Sequence, residues 1–403
     1  MIYRPFGTLK NIDILLLTRH LFLMILKFVL IFTIDSRILK FTMKTNFIIL
    51  LSIIVIIASC TPKPTITCED WGTVDSKPVY LYTLTNSNGV SAKITNYGGI
   101  IVEFNAPDKG GQIENIVLGL VSLDDYLSER SFFGSIIGRY ADIIAEAKFT
   151  LDNVEYTLSS GGHGGKKGFD QRVWHSTTSS DKQSATVSLV YLSADGEEGY
   201  PGNLTVHVDY VLNNENELHI CYTATTDKPT VLNLTNHSFF NLTNCRENVL
   251  NHQVRIYADA YTPYAENSNI PTGEIAPVEG TPYDLRQWTV IGDRINDFPH
   301  PVFDYCYCVN GTPNHIVLAA ELYEPQTGRL LQAYTTEPGV QFFTGGSLDG
   351  RNSRNMDAQG QPMGACFEMQ HFANSPNQPN FPSTVLRPGE TYTQTTIYKV
   401  SVK

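Results

Sequence analysis

Ten residues hold the densest concentration of reactive groups in this chain: Asn233-Leu234-Thr235-Asn236-His237-Ser238-Phe239-Phe240-Asn241-Leu242. Once buried, so many amides and hydroxyls must hold one another or a polar ligand, because buried polar groups need partners. A histidine fixed among them can act as a general acid or base near neutral pH. The plainer alternative is a hydrogen-bonded turn around a satisfied core histidine. Glu368 is the second candidate, in the run Ala365-Cys366-Phe367-Glu368-Met369-Gln370. Apolar company raises a carboxyl group's pKa toward the range that suits a base at pH 7.

Four further side chains have types suited to holding a polar ligand. Arg139 follows a glycine in Ile136-Ile137-Gly138-Arg139-Tyr140-Ala141 and needs an acceptor, either an internal carboxylate or a ligand oxygen. His163 sits in the loop Gly162-His163-Gly164-Gly165. That loop lacks phosphate-loop spacing and no helical pattern follows it, which argues against a nucleotide. Asp304 lies between Phe303 and Tyr305, and Gln341 belongs to the strand-like run Pro338-Gly339-Val340-Gln341-Phe342-Phe343. Each of these residues, taken alone, reads more readily as structural than as functional.

The elements that must position them are strands. Leu204 to Leu212 alternates apolar and polar residues, Asn213 to Asn216 is a polar turn, and Leu218 to Ala224 alternates again. Period and turn chemistry together predict a hairpin. Thr186 to Leu192 and Thr395 to Val402 carry the same signature, whereas Leu123 to Arg130 predicts a helix of one or two turns. There are no internal repeats, and 30 glycines and 21 prolines are spread along the chain. This pattern predicts one large all-β domain, a sandwich of antiparallel sheets.

The N-terminal stretch follows different rules. Met43-Lys44-Thr45-Asn46 precedes the apolar run Phe47 to Ile57, and Ile57-Ala58-Ser59-Cys60 resembles a bacterial lipobox. The apolar run is short for a membrane span, which needs roughly 20 residues. We therefore expect translation to start at Met43, residues 1–59 to be upstream sequence and signal peptide, and Cys60 to carry lipid. Residues 60–70, with Pro62 and Pro64, would tether a domain spanning 71–403. Thr61 is not a retention aspartate, so the outer membrane is the expected site of the anchor.

The full chain has 29 basic and 40 acidic residues, a net charge of −11. The first 59 residues hold 7 and 2 of these, which leaves 22 against 38. Such acidity disfavours nucleic acid as a partner and suits a soluble domain acting on an uncharged substrate. The six cysteines after Cys60 form no paired zinc-binding spacing, and their disulfide pairing cannot be assigned from spacing.

Taken together, the Asn233–Leu242 run, Pro338–Phe342, and Glu368 with Gln370 ahead of Asn380-Phe381-Pro382 resemble the aldose 1-epimerase family. The resemblance covers about Thr83 to Val402 and implies a large antiparallel β-sandwich. It also implies interconversion of the anomers of free aldohexoses, with His237 as catalytic acid and Glu368 as catalytic base. Arg139, His163, Asp304 and Gln341 would bind the sugar. The implied reaction needs no cofactor and no metal, and the expected partner is a free monosaccharide met by a monomer.

Three departures stand close to these positions. The family usually continues Gly-Arg-x-Ala with Asn-Arg-Ile, whereas this chain has Asp142-Ile143-Ile144. Tyr305 stands where a histidine is common, and Gly162 where a leucine is usual. Two rival readings remain: a sugar-binding lipoprotein without turnover, and a glycoside hydrolase. The hydrolase would need two carboxylates across the bond, such as Asp304 and Glu368. An epimerase for phosphorylated hexoses fits poorly with the acidic balance.

Overall fold

The computed structural model describes residues 62–128, 130, 132–298, 302–312, 314–345 and 361–403. The expected start at Met43, the apolar segment and Cys60 lie outside them. Leu204–Asn213 and Glu217–Thr226 form the expected hairpin, with Leu204 opposite Thr226 and Leu212 opposite Leu218. Leu204, Val206, Val208, Tyr210 and Leu212 are all buried, while the residues between them face outward to varying degrees. Alternation at period two has therefore set the register, because a slip of one residue would turn the apolar set outward.

This hairpin lies within a nine-stranded sheet. Its order is Thr289–Val290, Gln253–Ile256, Val317–Tyr323, Arg329–Thr335, Tyr392–Val402, Glu217–Thr226, Leu204–Asn213, Ser184–Ser193 and His175–Ser180. A six-stranded sheet packs on it, in the order Phe239–Phe240, Ala365–Gln370, Gly339–Phe343, Asp304–Val309, Ala258–Tyr261 and Ala276–Pro277. Between them, Tyr398 Oη donates to the Phe367 carbonyl at 3.0 Å and Gln394 Nε2 to the Met369 carbonyl at 2.7 Å. Phe342 and Phe367 are fully buried there with rings 5.2 Å apart, and burying each contributes about 2–3 kcal/mol. The fold is the antiparallel sandwich expected.

The strand Ala365–Gln370 is buried along its whole length. Ala365, Phe367 and Met369 belong to the main core, so Cys366, Glu368 and Gln370 must project from the opposite face. Val340 and Phe342 likewise turn Gln341 to that opposite face on the neighbouring strand. One side of the six-stranded sheet thus anchors the sandwich and the other presents polar side chains.

One local expectation changes. The first strand is Thr65–Val74, paired with Lys77–Thr85, so the β-domain takes in Thr65–Asp70 from the segment read as a tether. Its residues are mostly exposed, which hides the alternation that marks an ordinary strand. All six cysteines after Cys60 are free thiols. The expected short helix is Leu123–Ser128, started by Ser122, whose Oγ accepts the Asp125 N–H at 3.3 Å.

Candidate active site

The ten-residue run works mainly on its own backbone. Asn233, Asn236 and Asn241 are at most 2% exposed. The Asn236 amide donates to the Gly134 carbonyl at 2.7 Å and accepts from the Ser238 N–H and hydroxyl at 3.1 and 2.6 Å. Asn241 repeats the device, donating to the Glu247 and Met363 carbonyls and accepting from Thr243. Between these staples His237 is gripped at both backbone groups: its N–H donates to the Ser135 carbonyl and its carbonyl accepts from the Gly134 N–H. Asn236→Leu would leave the two Ser238 donors without their acceptor and the Gly134 carbonyl with only the Ile101 N–H. It is expected to cost about 2–3 kcal/mol in denaturant unfolding.

Held this way, the His237 ring meets the open face of the Ala365–Gln370 strand. Its Nε2 lies 3.5 Å from Glu368 Oε1 and its Nδ1 3.7 Å from Cys366 Sγ. Phe132, Phe239 and Phe343 surround the ring, with centroids 5.8, 5.0 and 6.2 Å away. This apolar collar explains the electrostatics. Burial pulls the His237 pKa down to about 4. Burial, then the charges of Asp142 and Asp304, pushes Glu368 well above the carboxylate range. The pair therefore holds one proton near neutral pH, resting on Glu368 with His237 neutral.

Gln341 faces Glu368 directly across the sheet and donates through Nε2 to Asp304 Oδ1 at 2.6 Å and to Tyr264 Oη at 3.0 Å. Gln370 donates to Asp142 Oδ2 at 3.2 Å. Asp142 and His163 come from two loops that fasten to each other: His163 N–H donates to the Asp142 carbonyl at 2.8 Å, and Asp142 N–H to His163 Nδ1 at 3.3 Å. The second bond places the His163 proton on Nε2, and burial keeps the ring neutral by lowering its pKa to about 3. The loop needs its glycines: a Cβ on Gly164, at φ +78°, would lie 1.8 Å from the Gly138 carbonyl oxygen. The His163 and His237 rings meet edge to face at 5.5 Å.

Five of the six candidate residues therefore converge: His237, Glu368, Gln341 and Asp304, with His163 alongside. Arg139 does not join them. It is 1% exposed, and its terminal nitrogens donate to the carbonyls of Pro201, Gly202, Ser193 and Ala194 and to the Ser193 hydroxyl. Its acceptors are thus main-chain carbonyls and the hydroxyls of Ser193 and Thr230, neither of the two options that the sequence offered. Four neighbours went unnamed as site residues. Cys366 and Gln370 follow from period two around Glu368, and Asp142 was visible as a family departure. Tyr264 left no sequence signal. For metals, His237, Cys366 and Glu368 bring three donor atoms within 4.8 Å of one another, one short of a closed tetrahedral set.

A β-sandwich that aims a buried histidine–carboxylate pair at a border of hydrogen-bonding side chains has the makings of a sugar isomerase. Comparison with known proteins agrees. The family model "Aldose 1-epimerase" matches residues 80–399. The chain is 40% identical to human "Galactose mutarotase" over 316 residues, covering 77% of this chain and 90% of that one. It is 34% identical to Escherichia coli "Aldose 1-epimerase" over 336 residues, covering 81% and 96%. Among solved structures, galactose 1-epimerase from Lactobacillus acidophilus superposes with a TM-score of 0.73 at 30% identity, covering 84% of this chain and 99% of that one. The chain belongs to the aldose 1-epimerase family, and it is a mutarotase-type enzyme that interconverts aldose anomers.

Proposed function

We propose that the substrates are free aldohexoses, glucose and galactose among them, and that Glu368 and His237 are the base and acid. The observation that carries this reading is the 3.5 Å approach of His237 Nε2 to Glu368 Oε1 in a buried, apolar-walled setting. In the ionised tautomer of the pair, Glu368 takes the proton of the C1 hydroxyl while His237 gives its proton to the ring oxygen. The C1–O5 bond breaks, C1 becomes an aldehyde, and the proton has moved from the histidine to the glutamate by way of the sugar. Rotation about C1–C2 presents the other carbonyl face. The reverse transfers reclose the ring as the other anomer and restore the pair. Proton count and charge balance at each stage.

His163 Nε2–H, Asp304 and Gln341 are the proposed sugar contacts, while Arg139 is assigned to holding the fold. The enzyme is further proposed to act as a monomer, anchored by lipid on Cys60 at the periplasmic face or outer membrane of a bacterium. The lipobox-like segment and the acidic soluble domain support that placement.

The test is polarimetry of freshly dissolved α-D-glucose and α-D-galactose across pH. Because the active form holds one proton on the pair, kcat/KM should be bell-shaped. It should fall at low pH as His237, held near 4, takes a second proton. It should fall at high pH as the shared proton leaves through Glu368's raised pKa. A flat profile, or rates no greater than those of buffer alone, would rule the assignment out.

A further inference from the structure

Around the reacting pair the balance of charge and hydrogen-bond donors is one-sided. Asp142 and Asp304 both act on Glu368, and Asp304 acts on Asp142, so three carboxyl groups share one face. Among the described residues no lysine or arginine acts on any of the three. The Arg139 guanidinium is spent on carbonyls elsewhere.

The two glutamines deepen the imbalance. Each must turn its NH2 to an aspartate, Gln370 to Asp142 and Gln341 to Asp304. That leaves each Oε1 as an acceptor with no donor. Gln341 and Glu368 are each 3% exposed and Gln370 is 0% exposed, yet Gln341 Oε1, Gln370 Oε1 and Glu368 Oε2 have no partner within the protein. Buried acceptors of this kind need donors, and three crowded carboxyl groups need a positive charge if they are to ionise together. Burial and mutual repulsion leave Asp142 at about 7 and Asp304, through burial alone, at about 6. A neutral sugar offers hydroxyl donors and no charge. A protonated amine offers three N–H donors and the charge.

We propose that this site prefers an aldose bearing an ammonium group on C2, a 2-amino-2-deoxyhexose. The inference rests on reading the same residues as the sugar site. C2 is the position because C1 must lie at Glu368 and His237, the carboxyl groups surround Glu368, and the substituent on C2 is the one next to the reacting carbon. The acidic surface of the domain attracts the same cation from solution.

The experiment compares D-glucosamine, D-glucose and N-acetyl-D-glucosamine, and the three galacto counterparts, near pH 6 where the free amine is protonated. Mutarotation is followed by polarimetry, and binding by calorimetry. For the wild type, kcat/KM and affinity for the amino sugar should exceed those for the neutral sugar by about tenfold. N-acetylation, which removes the charge, should abolish the advantage. Asp142→Asn, which removes one carboxyl group and keeps the side chain's shape, should shrink the amino-to-neutral ratio about tenfold. Equal or lower values for the amino sugar in wild type would overturn the inference, as would a ratio unmoved in a folded Asp142→Asn. The wild-type comparison decides alone if that variant does not fold. Failure to accelerate any sugar would instead overturn the mutarotase assignment, and the calorimetric ratio would still decide the preference for an ammonium group.

Discussion

Glu368→Gln is expected to lower kcat/KM for mutarotation by about 10²–10⁴-fold while leaving the thermal midpoint unchanged or raised. Glutamine keeps the shape of the side chain and cannot take a proton. It also removes the group from which His237 must draw its proton, and burial holds that ring near 4, so the histidine stays neutral. Base and acid are therefore lost together. Stability should not suffer, since the substitution removes one of three carboxyl groups that push on one another. His237→Asn should give a loss of similar size for the mirror reason: without the histidine the proton stays on Glu368. The double variant should then be little worse than either single one, as expected for residues that act as a unit. Losses that multiply in the double variant would mean that each residue works independently and would refute the shared proton.

The site was legible where strand periodicity carried it. Period two places Cys366, Glu368 and Gln370 on one face, and the apolar partners Phe367 and Met369 fix which face is the core. Gln341 and Asp304 follow once their strands are neighbours, because register sets Gln341 against Glu368 and Phe343 against Asp304. The long hairpin was legible for the same reason. Thr65–Asp70 was not, because an edge strand buried on neither face loses the apolar alternation that marks the others.

Charge balance within the site was harder to read. Asp142 could be seen to replace an asparagine, but its effect depends on Asp304 and Glu368, which are 162 and 226 positions further along the chain. Overall acidity suggested an uncharged substrate, whereas the local arrangement of carboxyl groups and free acceptors favours a cation. Composition averages over the surface, and a ligand meets only a few side chains.

Arg139 exposes the limit most clearly, and it gives the second large prediction. A guanidinium between apolar residues needs acceptors, but sequence cannot say which way it points. Here the acceptors are carbonyls of residues 193, 194, 201 and 202, at least 54 positions away. One side chain thus pins the loop between Ser193 and Gly202 to the sheet. Arg139→Ala would take the guanidinium away from these buried carbonyls, of which Ala194's keeps the Glu197 N–H, and is expected to cost about 3–5 kcal/mol in denaturant unfolding. Arg139→Lys should recover only part of this, because one ammonium cannot reproduce a planar fork that reaches six acceptors. Measured on the folded fraction, KM for sugar should change little in either variant, since no terminal nitrogen is left for a ligand. A KM that rises sharply at unchanged stability would put the guanidinium on the sugar after all, and would require the Ser193–Gly202 loop to be held by something else.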